Sequence, residues 1–343
     1  MSGGATEAFR THSNYIRAFA CIAGWRFPDD DSDVVLAALA SKVRSSSRFA
    51  ATQRHACDAQ AVRASLHNAW GTEVLLAMAG VYGLPDETTR LSNNWAVVQL
   101  YYAVYHAGQA LMAAQGGQSP QSHEAARRRF LDLWVNPRDS DAVMPLSLAY
   151  GYAGPVNVPS GIQLDDTIPN WTSCDAMSCW SLVLKALRTT RAEQLPGRID
   201  KRRKEKLRER QKQWQQEEEE RLAHKRSPRK EPTWRRPNLT AAEKDEVDRK
   251  LRNYSLIDYL YRLRTRSNYE DVSMFSDGPE DDTVSGRVHG DLTHLASACL
   301  LIHELYVGQC VGTTELARWA DDWLASYYVT AAKLGLSARR TFL

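Results

Sequence analysis

The chain of 343 residues is long enough for one large domain or two ordinary ones, and for a sizeable buried core. Hydrophobic residues make up 43% and charged residues 25%, the composition of a soluble globular protein rather than a disordered or fibrous one. A net charge of +3 points to no partner by itself, but the charge is unevenly placed. The six cysteines, at 21, 57, 174, 179, 299 and 310, form no Cys-x-x-Cys pair, and the opening MSGGATEAFR has no apolar signal core. They read as reduced thiols of a cytoplasmic protein. Cys174 and Cys179 stand five apart, and His289, His294 and His303 do not fall at i, i+4 on one helix, so neither a metal nor another cofactor is expected.

Residues 1–90 form an N-terminal helical region to which the sequence assigns no function. FPDDDSD is a loop, and SDVVLAALASKVRSSSRFAATQ is a helix capped by Ser32 or Asp33. A further helix runs from Cys57 through ASLHNAWGTEVLLAMAGVYG, interrupted or ended by its glycines, and GLPDETTR is a turn. Residues 91–192 open with two helices joined by GGQSP. From Trp95 to Ala114 the first carries only Gln99, His106, Gly108 and Gln109 among apolar side chains. The polar groups would be expensive in hydrocarbon, no second span exists, and the basic amphipathic HEAARRRFLDLW follows at once. We therefore expect a central bundle helix and no membrane.

At 100° per residue, Gln99, Tyr102, His106 and Gln109 fall on one side of that helix, and Val97, Leu100, Val104 and Leu111 on the other. The stripe holds the helix's one group that ionises near neutrality. Either His106 is satisfied by a carbonyl or a tyrosine inside the core, or it faces a cleft.

Residues 136–173 (NPRDSD, GYAGPVNVPSG, TIPNW) are an irregular loop with room for a short hairpin, and SCWSLVLKALRTTR returns to a helical period. Residues 193–238 form a charged insertion. Between 198 and 236 it holds 16 Lys and Arg against 8 Asp and Glu. Its first part is a solvated helix; the part after Ser227, with three prolines, is extended or disordered. It is either a connector between two halves of a domain or an arm for phosphate backbone, with Trp214 and Trp234 available to stack.

Residues 239–343 are helical again. Thr240 caps LTAAEKDEVDRKLRNY, and SLIDYLYRLRTRSNYEDVSMF follows. SDGPEDDTVSG is a loop. Two helices close the chain, HGDLTHLASACLLIHELYVG and TTELARWADDWLASYYVTAAKLG, the last with an apolar face at 316, 319, 323, 327, 331 and 334. Strand signals are sparse, so the fold class is all-α. Within YLYRLRTRSNYED, Arg264, Asn268 and Asp271 share a helical face beside a stripe of Leu256, Leu260 and Leu263. Three arginines in five residues suit the rim of a groove that takes an anion. The plainer alternative is an amphipathic helix whose Arg264 pairs with Asp271 or Asp258.

YYAVYHAGQALMAAQG, with SH at 122–123, resembles the first half of HEPN domains (higher eukaryotes and prokaryotes nucleotide-binding): a tyrosine-rich helix, a small-residue turn, a glycine, then a histidine. YRLRTRSNYEDVSMF resembles their later helix, and KALRTTR is similar to a segment of uncharacterised bacterial relatives. The resemblance covers residues 90–135 and 240–310. It implies an all-α HEPN-like bundle with extra N-terminal helices, interrupted by the charged insertion, and usually dimeric. Many HEPN proteins are metal-independent ribonucleases of toxin–antitoxin, abortive-infection or CRISPR-linked defence and carry Arg-x4–6-His; others have lost the motif and bind or scaffold.

Here Arg264 is followed by Asn268 and Tyr269 and by no histidine, so His106 is the candidate to restore the pair from across the bundle. The resemblance thus implies His106, Arg264 and Arg266 as catalytic residues, with Tyr102, Asn268, Tyr269 and Asp271 positioning the substrate. The implied partners are RNA or another nucleic acid, a second copy of the chain, and a partner protein of a defence system. A literal Arg-x6-His also occurs at Arg287 and His294, away from the usual place. The rival expectations are a non-catalytic adaptor that dimerises and binds a protein, and a nucleic-acid binder that acts through the insertion.

Overall fold

The structure is a computed structural model that describes residues 2–25, 30–118, 120, 122–137, 140–170, 174–271, 273–279, 281–326 and 335–343. In chain order come α1 (Ser2–Ile22), α2 (Ser32–Arg44), α3 (Ser47–Ala51), α4 (Ala59–Val81), α5 (Asp86–Ala114) and α6 (His123–Phe130). A π turn (Leu131–Val135) leads to a short hairpin of β1 (Ala149–Gly151) and β2 (Gly154–Val156). Then follow α7 (Cys179–Ala192), α8 (Leu195–Ala223), α9 (Ala241–Arg249), β3 (Tyr254–Ser255) and α10 (Leu256–Thr265). A second π turn (Arg266–Glu270) precedes α11 (Met274–Asp277), α12 (Asp282–Val311), α13 (Thr313–Ser326) and α14 (Leu336–Arg339).

Local chemistry explains many of these ends. Asp31, not Ser32 or Asp33, caps α2 by accepting from the Asp33 amide at 2.9 Å. Asp58 accepts from the first amides of α4. Thr240 and Glu243 form a reciprocal capping box on α9. Three expected boundaries move. The glycines of α4 do not break it, because its face packs along α5 and that burial outweighs about 1 kcal/mol per glycine. The turn GLPDETTR ends early, since Asp86 and Glu87 start α5 where acidic side chains favour a helix N-terminus. Likewise Asp281 caps α12 inside the stretch expected to be loop.

Helices α5 and α12 are the long central pair. Around them pack α4, α10 and α11 on α5, and α1 and α2 on α12, while α1 also rests on α7. One continuous apolar core reaches from Phe9 to Leu336, so the N-terminal helices are built into the bundle rather than set apart from it. Of the apolar face of the last helix, Leu316, Trp319 and Trp323 are buried, and positions 327, 331 and 334 lie outside the described residues. The sheet has order β2-β1-β3, all antiparallel, with Ala149 opposite both Val156 and Ser255. It is small, and the fold is mostly helical. Among the described residues no helix is long and apolar enough to cross a membrane.

Two polar centres sit inside the apolar core. Arg339 of α14 is fully buried and bonds Glu73 of α4, Glu304 of α12 (2.7 and 2.8 Å) and the Ser297 hydroxyl (3.0 Å). Trp70 donates to the same Glu304 at 2.8 Å. Nearby, His303 accepts from Trp134 Nε1 at 3.1 Å and donates through Nδ1 to the Cys299 carbonyl at 2.7 Å. Those two bonds fix its neutral tautomer.

The charged insertion is a helix with an extended return. After Ala223 the chain runs back along α8: Arg229 bonds Glu218 at 2.6 and 2.7 Å and lies over Trp214, and Arg236 bonds Asp200 at 2.7 Å. Trp214 and Trp234 meet edge to face at 6.2 Å. The Trp214 ring is thus engaged by both Trp234 and Arg229.

Candidate functional site

The two tyrosine-rich stretches lie side by side. Along α5 the partly exposed stripe is Leu91, Trp95, Gln99, Tyr102 and His106, whereas Gln109 is buried. Facing it is the last turn of α10, and α6 closes the end. Ser122 caps α6 by accepting from the Ala125 amide, which places His123 in the first turn. Asp258, 1% exposed, fastens α6 to α10. It accepts from Arg127 at 3.1 Å, from Arg252 at 2.6 and 2.8 Å, and from the Ser255 amide at 3.0 Å. With these bonds in place, the Arg127 guanidinium lies 4.1 Å above the Tyr261 ring.

Arg264 meets the same group of rings. Its guanidinium lies 5.0 Å from the centre of Tyr102, 5.5 Å from Tyr101 and 5.7 Å from Tyr261. Among the described residues it has no carboxylate partner, and its buried Nε has no hydrogen bond. It thus pairs with neither Asp271 nor Asp258. Arg262 and Arg266 differ. Arg262 bonds Glu193 and Glu270 at 2.6 and 2.7 Å. Arg266 bonds His12 Nε2 at 2.9 Å, and its Nε lies 3.0 Å from Asp271. The cause is helical geometry: residues four apart share a face, and the one between them points about 200° away.

The structure therefore brings His106, Tyr102 and Arg264 into one neighbourhood and places Arg266 and Asp271 on the flank formed with α1 and α7. The π turn from Arg266 to Glu270 breaks the 3.6-residue register on which the shared face of Arg264, Asn268 and Asp271 relied. Asn268 is half-buried, and Tyr269 is 74% exposed. No hydrogen bond joins His106 to Arg264. Their common contact is Tyr102, stacked on His106 with ring centres 6.0 Å apart. Arg287 and His294 do not form a pair either, since His294 stacks on Trp25 at 4.9 Å.

The histidine closest to the centre of this group is His123. Tyr101, Tyr102, Tyr105 and Tyr261 surround it at ring distances of 5.0–6.1 Å, and its Nδ1 lies 2.8 Å from the Tyr101 hydroxyl. Burial, then Arg264 and Arg127, lower its pKa from the ordinary value. Burial also lowers that of His106, with His123 adding to the effect. Burial raises the Tyr101 phenol, which stays protonated. Both imidazoles are thus neutral near pH 7, next to a cation that no carboxylate neutralises. The sequence does contain a signal for His123: a histidine directly after a capping serine, 18 residues beyond the last of a row of tyrosines. Arg127, Tyr105 and Tyr261 carry no comparable mark.

Among the described residues no group of three His, Cys, Asp or Glu side chains is arranged to hold a metal ion. Chemically the arrangement combines a guanidinium without a carboxylate partner among the described residues, aromatic faces and two imidazoles of lowered pKa. No protein-family model, curated protein or solved structure matches the chain.

Proposed function

We propose that the tyrosine-lined surface between α5, α6 and α10 engages RNA or nucleotide phosphate, and that the protein is a HEPN-like, metal-independent ribonuclease of prokaryotic anti-phage defence. One observation carries this reading: Arg264, without a carboxylate, lies against three tyrosine rings beside two neutral histidines. In this mechanism the Arg264 guanidinium holds the scissile phosphate and stabilises the charge that builds on it. A neutral imidazole, His123 or His106, takes the proton of the ribose 2′-hydroxyl as that oxygen attacks phosphorus. The 5′-oxygen leaves and takes up a proton, giving a 2′,3′-cyclic phosphate and a 5′-hydroxyl end. Tyr102 and Tyr105 offer faces on which bases stack.

The test is cleavage of single-stranded RNA in excess chelator. Arg264→Ala should lower the rate by about 10²–10³-fold, the scale of a lost charge-stabilising donor. His123→Ala and His106→Ala identify the base. Wild-type protein that neither cleaves nor binds RNA would overturn the reading.

A second reading has its own observation. Leu91 (57% exposed) and Trp95 (64%) continue the α5 stripe away from His106, and Tyr82 (62%) lies just before the same helix. An apolar stripe of this kind suits a non-catalytic adaptor that binds a second copy or a partner protein. Under that reading Trp95→Glu abolishes assembly in light scattering, and Arg264→Ala changes nothing.

A further inference from the structure

We propose that the cleft beneath the base of α8 binds a small phosphorylated ligand of about nucleotide size, at a place separate from the tyrosine-lined site. The cavity measures about 650 Å³ and is formed by α6 and its π turn, the first turns of α8, and α9 with the segment up to β3. That volume lies within the usual range for small-ligand pockets, about 300–1,000 Å³.

Its lining carries six cations against four carboxylates. The carboxylates are all spoken for. Glu246 bonds Lys250 at 2.5 Å, Glu205 lies 3.6 Å from Arg202, Glu243 pairs with Lys206, and Asp132 accepts from Asn136 at 3.0 Å. The cations are not. Lys201 has no acidic partner among the described residues, and Arg198 comes no nearer a carboxylate than 3.8 Å, at Glu124. That one carboxylate also faces Arg127 at 2.6 Å, Arg128 at 3.2 Å and Arg252 at 3.9 Å. Asp258 serves Arg127 and Arg252 as well, so four guanidiniums share two carboxylates and leave positive charge uncompensated, and Arg252 Nε is buried without a hydrogen bond. A phosphate dianion supplies both the charge and the fork of acceptors that guanidiniums match.

Apart from Asn136, the rest of the lining is apolar: Leu131, Val247, Leu251 and the Tyr254 ring, over which Arg252 lies at 4.6 Å. Charge on one part of the lining and apolar surface on another fit a phosphate attached to a flat organic body. Walls from three elements favour a small molecule over a passing strand.

The experiment is calorimetric titration of the full chain with ADP, with inorganic pyrophosphate and with a single-stranded RNA oligonucleotide. The expected result is saturable one-to-one binding of ADP, weakened at least about tenfold in Arg198→Glu/Lys201→Glu and to a smaller extent in Arg198→Gln/Lys201→Gln, which keeps side-chain bulk. Arg264→Ala, which strips the proposed RNA site of its phosphate contact, should leave ADP binding that the Arg198 and Lys201 substitutions still weaken, which separates the two sites. The proposal is overturned by any of three outcomes: no saturable ADP or pyrophosphate binding up to millimolar concentration, affinity untouched by the double variants, or an effect of those variants on RNA alone.

Discussion

His303 is held neutral by two hydrogen bonds in a fully buried place, and its pKa is pushed down from 6.5 to about 4, chiefly by burial. The unfolded chain therefore binds this proton first as pH falls. The stabilising contribution is complete above pH 6.5 and is lost as pH drops from 6.5 toward 4. Each tenfold difference in proton affinity is worth about 1.4 kcal/mol, so the full contribution is about 3 kcal/mol. About 2.5 kcal/mol of it disappears between pH 7.5 and 4.5. For a chain of this length that is a shift of roughly 3–4 °C in the melting midpoint. The perturbation is His303→Gln, whose amide can accept from Trp134 and donate to Cys299 without titrating. Denaturant unfolding of both proteins at the two pH values gives the comparison. His12 (about 3) and His294 (about 4) add acid sensitivity to both proteins alike, so the difference in slope isolates His303. If His303→Gln lost as much stability as the wild type over this interval, the argument from the buried neutral imidazole would fail.

Three further outcomes are expected. Arg339→Met leaves Glu73 and Glu304 buried without their cation and should lower stability by about 3–5 kcal/mol in chemical denaturation. If the protein is the ribonuclease proposed above, the acid limb of its pH–rate profile should have its midpoint below pH 6.5, because burial lowers the pKa of both candidate bases; with His123 as the base, Arg264→Ala removes a cation that lowers its pKa and should move the limb upward. Gly278→Ala would put a methyl group 2.3 Å from the Met274 carbonyl and 2.5 Å from Phe9 Cβ, and should cost about 1–3 kcal/mol by thermal melting, with α1 displaced.

The parts of the fold that could be read from the chain were those written in local chemistry. The apolar run of α5, the Thr240 cap and the buried positions 316, 319 and 323 follow from periodicity and capping alone. The boundaries of α4, α5 and α12 did not: packing on α5 carries α4 through its glycines, and Asp86 and Asp281 start helices inside stretches whose composition reads as turn and loop. In the site, His106, Tyr102 and Arg264 could be chosen from their spacing, and they do lie in one neighbourhood. The π turn after Thr265 inserts an extra residue per turn, which no periodicity reveals, and it carries Asp271 to Arg266. The gathering of His123 and Arg127 depends on Asp258, a residue 135 positions beyond His123. Contacts of that range leave no trace in spacing.

The fastening of Arg339 to Glu73 and Glu304 also has a consequence for how the molecule comes into being. During synthesis, α4 and most of α12 emerge from the ribosome well before residue 339. Until then their two acids lack that cation in an apolar setting, and repulsion between them opposes closure of the seam. Final closure of the interior therefore waits for residue 339 to be translated. Nascent chains stalled before residue 339 should remain sensitive to protease along α4, and chains stalled beyond it, with Arg339 clear of the exit tunnel, should not.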